Sequence, residues 1–335
     1  MSTQPHPDHV PPPQRRGRGC LVWLGGTVAI LLGLLLLGAR YESVSEASDR
    51  RAYPPPGRLV DVGGYRLHIT CVGTGSPTVV IDSGAGDWSA TWSSWVQPGV
   101  AGTTRVCTYD RAGLGWSDPG PRPRTAERFA DELHTLLQRA GIPGPYVLVG
   151  HSLGGLTVRL FAHAYPAEVA GVVLIDAMSP RPGTHAAPAT PPQTHASDLS
   201  LFTLPARLGV LRLLAGPLEL TSGLSPAMAD AYVAYAVTPR QLQTSVLDEN
   251  AGMGTSLAQA SAVTSLGDLP LIVVSRGLDP DPDWQRLQAD LVHLSSRSEQ
   301  RFADRSGHNV QLDQPEAAVG AIAAMVERVR GQAAR

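Results

Sequence analysis

Lysine is absent from this 335-residue chain: all 27 basic residues are arginine. A lysine Schiff base and a lysine-held pyridoxal phosphate are therefore excluded. Charge of either sign is sparse, at 17% of residues, and nets to −2. No basic field exists to attract nucleic acid, and no nucleic-acid partner is expected. Cysteine is limited to Cys20, Cys71 and Cys107. Cys20 has no lipobox-like residues before it. Cys71 and Cys107 fall in apolar runs that read as strands of a parallel sheet, where bridging is awkward, so both are expected as buried free thiols. No cofactor and no metal are expected.

The strongest compositional break lies near the start. Residues 1–19 are polar and proline-rich and end in Arg15-Arg16-Gly17-Arg18, whereas residues 20–39 carry no charge. Twenty apolar residues in a helix span about 30 Å, the thickness of a bilayer core. Arginines precede the run, and Glu42, Glu46 and Asp49 follow it. The positive-inside rule then puts residues 1–19 in the cytoplasm and all that follows residue 40 outside. The run is longer than the apolar part of a cleaved signal, and Gly38-Ala39-Arg40-Tyr41 is a poor cleavage site. The reading is an uncleaved signal-anchor, with secretion after cleavage as the alternative. Residues 40–57, which include Pro54-Pro55-Pro56-Gly57, read as a linker, and residues 58–335 as the folded domain.

Within that domain, strands are expected at 59–62, 65–71, 78–82, 104–109, 146–149, 169–176, 271–275 and 299–303. Helical periodicity appears at 125–140, and again after each later strand. Apolar strands alternating with helices predict an α/β fold: a mostly parallel central sheet covered by helices on both faces. Residues 178–267 interrupt the rhythm with helical stretches and no strand, and read as a cap over the C-terminal strand ends, where ligands bind in such sheets.

Gly150-His151-Ser152-Leu153-Gly154 follows one predicted strand and precedes a predicted helix. This strand–turn–helix setting gives the G-x-S-x-G pattern its chemical meaning. Glycines on either side let the chain reverse with Ser152 at the apex, and the following helix N-terminus favours a developing negative charge. A serine hydroxyl needs a base. His308, in the loop Ser306-Gly307-His308 after the last strand, is the candidate. The base needs a carboxylate partner. Asp279, just past strand 271–275, is the first candidate, with Asp176 and Asp281 as alternatives. Oxyanion donors are expected from the backbone N–H groups of Leu153 and, in the loop Asp82-Ser83-Gly84-Ala85-Gly86, of Ala85.

With the stretch Asp110-Arg111-Ala112-Gly113-Leu114-Gly115-Trp116-Ser117, these blocks make the chain from about residue 58 onward similar to the α/β-hydrolase fold family. The resemblance implies that the Asp110–Ser117 segment shapes the site from one side, with Arg111 or Trp116 able to touch substrate. Two departures stand out: Ser83-Gly84 replaces the His-Gly common in the oxyanion loop, and Gly277 to Asp279 is one residue short of the usual acid-loop spacing. Serine at position 152 separates the chain from relatives with an aspartate nucleophile. The expected activity is serine hydrolysis of a carboxylic ester or related acyl substrate. Acyltransferase, amidase, thioesterase and carbon–carbon hydrolase activities share the same residues. A membrane-tethered binding protein on an inactive fold is the non-enzymatic alternative. The expected partners are a small apolar acyl substrate and, through residues 20–39, a membrane. An apolar tract from Leu199 to Leu214 suits an acyl chain, or else packs the cap onto the core. Oligomeric state is not legible.

Overall fold

A computed structural model describes residues 17–181, 201–278 and 281–333. The polar tail up to residue 16, the stretch 182–200 and Asp279 lie outside the described residues.

Eight strands form one sheet: β1 (Arg58–Asp61), β2 (Arg66–Val72), β3 (Thr78–Asp82), β4 (Val106–Tyr109), β5 (Tyr146–His151), β6 (Val169–Ile175), β7 (Leu271–Arg276) and β8 (Ser298–Ala303). Their spatial order is β1-β2-β4-β3-β5-β6-β7-β8. β1 and β2 run antiparallel to their neighbours, and every other pair is parallel. The central strands β3 and β5 are buried along their whole length, as continuous apolar runs require when helices cover both faces. Alternation assigns their side chains to two cores. Leu148 faces the helices Ala126–Arg139 and Leu153–Ala164 through Leu133, Leu136 and Phe161. Val147 and Val149 face the other side, against Val100 and, from the C-terminal helix Pro315–Ala333, Ile322 and Met325.

Two expectations are corrected. Cys71 and Cys107 are joined in a disulfide. β2 is antiparallel to β4, not parallel, and the register sets the two cysteines directly opposite one another with Cα atoms 4.0 Å apart. Residues 40–52 are not linker. One helix runs from Gly17 to Ala52, and its stretch from Trp23 is long and apolar enough to cross a membrane. Beyond the apolar run, Glu42 and Asp49 lie on one helix face (seven residues apart, two turns) and both pair with Arg212 of the cap. That pairing turns an acidic stretch into an ordered strut.

Between β6 and β7 the cap includes the helices Leu204–Arg207, Val210–Leu214, Pro226–Ala236 and Glu249–Ser261. It is fastened over the loops that follow β3 and β4. Gln241 bonds the Gly115 N–H and the Gly86 carbonyl, and Glu249 accepts from the Gly86 N–H.

Candidate active site

The turn after β5 is built by what cannot fit there. A Cβ on Gly150 would lie 2.6 Å from the Gly154 carbonyl oxygen, and one on Gly154 would lie 2.4 Å from the Asp82 carbonyl oxygen. Only glycine lets strand and helix approach this closely. Ser152 sits at the apex with φ 49° and ψ −118°, a strained backbone for a residue with a side chain. Its carbonyl is held by the N–H groups of Gly155 and Met178.

His308 Nε2 lies 3.0 Å from Ser152 Oγ, and His308 Nδ1 lies 2.6 Å from Asp176 Oδ2. Of the three candidate carboxylates, Asp176 is the one placed against His308, and Asp279 lies outside the described residues. Asp176, first held as an alternative, occupies the Nδ1 side of His308 that Asp279 was expected to take. Asp281 instead caps the helix Pro282–Leu291, accepting from the Asp283 N–H. The physical reason lies at the end of β6. Asp176 adopts φ 38°, and its fully buried carboxylate also accepts from Trp284 Nε1 at 2.8 Å and the Arg276 N–H at 3.3 Å. Burial pushes this carboxyl up, but the hydrogen bonds from His308 and Trp284 outweigh it and leave the group below its ordinary range. Asp176 is therefore ionised at neutral pH and fixes the Nδ1–H tautomer of His308.

The imidazole has further support. Trp284 meets its ring edge-on, with centroids 5.5 Å apart. From behind, His151 Nε2 donates to the His308 carbonyl at 2.9 Å. Burial, and then the proximity of His308, push the His151 ring down to about 4, so it is neutral at pH 7. His151 was visible only as the variable position of the motif; its reach to His308 depends on how β5 and the loop after β8 meet.

The loop after β3, where an oxyanion donor is expected, is braced by Arg111. This buried guanidinium donates to Asp82 Oδ1 (2.7 Å), to the Ser83 and Gly84 carbonyls, and to Glu249 Oε1 (2.8 Å). In a trans peptide the C=O and the next N–H point in opposite directions. Holding the Gly84 carbonyl therefore turns the Ala85 N–H away from Arg111. Neither this amide nor that of Leu153 has a hydrogen-bond partner among the described residues. The loop runs beside the nucleophile: a Cβ on Gly84 would lie 3.3 Å from Ser152 Cβ. Arg111 is thus turned inward and not toward a substrate, and Trp116 is buried, its indole N–H donating to the Tyr53 carbonyl. Asp110 shapes the same side by accepting from the N–H groups of Ser89 and Trp116. No cluster of ligating side chains able to hold a metal occurs among the described residues.

The sheet order, the turn after β5 and the histidine loop after β8 together define a class. The family model for the alpha/beta hydrolase fold matches residues 77–315, and the chain belongs to that family. Among curated relatives, YqjL of Bacillus subtilis is 24% identical over 255 residues, covering 72% of this chain and 81% of that protein. An uncharacterized Schizosaccharomyces pombe protein is 27% identical over 301 residues, but the chain spans only 54% of its length. An uncharacterized vacuolar membrane protein of Saccharomyces cerevisiae is 32% identical over 114 residues, which are 29% of this chain and 18% of that one. Similar solved structures include the epoxide hydrolase CorEH (TM-score 0.60, 18% identity, 81% of this chain and 98% of that one). The serine hydrolase CarC of carbazole degradation is another (TM-score 0.57, 19% identity, 81% and 98%). At such identities the structural likeness establishes the fold.

Proposed function

We propose that this chain is a membrane-anchored serine hydrolase of carboxylic esters or related acyl compounds. The observation that carries the reading is the unbroken line from Ser152 Oγ to His308 Nε2 (3.0 Å) and from His308 Nδ1 to Asp176 (2.6 Å). Neutral His308 accepts the Ser152 proton as Oγ attacks the acyl carbon, and the ionised Asp176 stabilises the imidazolium that forms. The tetrahedral oxyanion is taken by the Leu153 and Ala85 N–H groups, with the N-terminus of the helix Leu153–Ala164 adding its partial positive charge. His308 returns the proton to the leaving alcohol. Water, deprotonated by the same imidazole, then attacks the acyl carbon; the acyl–Oγ bond breaks, the acid leaves, and His308 gives its proton to Ser152 Oγ. The nucleophile is serine, so the ester-type intermediate differs from that of relatives that use aspartate.

The anchor reading rests on the N-terminal helix, with the hydrolase domain on the outer side. Arginines at its start and carboxylates at its end support that orientation, as does the Cys71–Cys107 disulfide, a bond that persists in oxidising compartments. The test is labelling of the full chain, in membranes, with a fluorophosphonate that reacts only with activated serines. Labelling and ester turnover are expected in the wild type and absent in Ser152→Ala. Wild-type-like turnover in that variant would overturn the proposal.

A further inference from the structure

Outside the N-terminal helix, eleven large apolar side chains are exposed among the described residues, and seven of them lie between positions 201 and 218. Leu201, Phe202, Leu213 and Leu218 are each more than half exposed. Most of the described apolar side chains of this cap tract therefore lie outside the core, while Leu208 and Leu211 are half-buried. The tract's exposed leucines are concentrated in one stretch of the cap, and concentrated exposed apolar surface marks a membrane or partner surface.

Its position identifies which. The chain 208–212 lies along the N-terminal helix where that helix changes character. A Cβ on Gly38, the last glycine of the uncharged run, would lie 2.9 Å from the Leu208 carbonyl oxygen. Gly209, with φ 71°, sits against the Tyr41 ring, where a Cβ would come within 2.5 Å. Arg212 then pairs with Glu42 at 3.0 Å and Asp49 at 2.5 Å. The helix also carries exposed aromatic side chains at both ends of its apolar run, Trp23 and Tyr41. Eighteen residues separate them, about 27 Å of helix, close to a bilayer core bordered by interfacial aromatics. Tyr41 is thus at the outer boundary, and Leu208 and Gly209 are held at its level. Leu213 follows one turn later on the same cap segment.

We propose that residues 201–218 form a second membrane contact, in which the cap rests its exposed leucines and Phe202 in the headgroup layer of the bilayer that the N-terminal helix crosses. The proposal rests on the anchor reading above. The cap then lies on the bilayer while covering the loops after β3 and β4, and the hydrolase is served by acyl esters residing in the membrane. Arg212 clamps the cap segment to the helix so that its apolar side faces lipid and its charged side faces Glu42 and Asp49.

The experiment uses the full chain with Cys20→Ser, carrying Leu213→Cys, Ile30→Cys or Phe302→Cys labelled with an environment-sensitive fluorophore, in phosphatidylcholine vesicles. Ile30 is exposed in the middle of the apolar run, and Phe302 is an exposed apolar residue on β8. Lipids spin-labelled deep in the acyl chain should quench the Ile30 position, lipids spin-labelled near the headgroup should quench Leu213, and Phe302 should resist both. Quenching at Ile30 with Leu213 as unquenched as Phe302 overturns the cap contact alone. No quenching at Ile30 overturns the anchor reading and the cap contact with it. A blue-shifted but unquenched Leu213 label means that protein covers the patch, and it also overturns the proposal.

Discussion

The sheet and the cap of this molecule differ in how their apolar and charged contacts are combined. The sheet is fastened by continuous apolar strands whose side chains interdigitate in two cores, and it carries Ser152, Asp176 and His308 on the loops after β5, β6 and β8. The cap meets the sheet's helices and loops through smaller apolar clusters, Tyr232 and Tyr235 against Trp88 and Trp116 and Ala260 against Phe129 and Leu156, and charge adds to these: Arg111 to Glu249 at its inner side, Arg212 to Glu42 and Asp49 at its outer side. Apolar cores are close-packed and tolerate little displacement, and charge-assisted hydrogen bonds add strength and direction to the smaller contacts of the cap. The close-packed sheet thus holds Ser152, Asp176 and His308 in place, and the cap is joined to it by both kinds of contact.

The sharpest way to break this contrast is at the acid. Asp176→Asn leaves the turn intact but removes the charge that fixes His308, and a loss in kcat on the order of 10⁴-fold is expected. Asp281→Asn, at a helix cap, should leave ester turnover within a factor of about two. Steady-state kinetics on both variants decides the assignment.

Next comes the charged link between the two regions. Arg111→Met leaves Asp82 and Glu249 buried without their partner, and should cost about 3–5 kcal/mol in denaturant unfolding. Combining it with Glu249→Gln should recover part of that loss. A variant that unfolded like the wild type would show that the cap is held mainly by apolar contact.

A smaller effect concerns pH. The His151 ring is pushed down to about 4 from its ordinary 6.5. The unfolded chain therefore takes up a proton in that interval when the native protein does not. The stability contributed is complete above about pH 6.5 and is lost as pH falls through about 4. His151→Gln keeps a donor toward the His308 carbonyl and should flatten the fall of Tm between pH 7 and pH 4.5. An unchanged slope would assign it to other groups.

The least costly break should be at the outer side. Arg212→Ala is expected to lower cap stability by about 1–2 kcal/mol. Hydrogen exchange should show it as faster exchange in residues 204–214, with β5 and β6 unaffected.

Much of the sheet was legible in the residues because a strand buried on both faces must be apolar throughout; Val169–Ile175 and Leu271–Val274 admit few other readings. The glycine-flanked serine was legible for a steric reason, since no other residue fits at 150 and 154. The acid was not. Asp176 and Asp279 both follow apolar strands, and nothing local separates them; the choice rests on a positive φ at the end of β6 and on Trp284, 108 residues away in the chain. Likewise, nothing around Cys71 or Cys107 says that β2 reverses direction against β4.

Local pattern therefore settled the class of fold, the nucleophile turn and the apolar helix, because each follows from burial or steric demand within a few neighbouring residues. The acid partner, the disulfide, the Arg111 brace and the docking of the N-terminal helix on the cap came from folding alone. Each joins groups distant in sequence through directional bonds, and those form only once packing of the whole chain has set the distances.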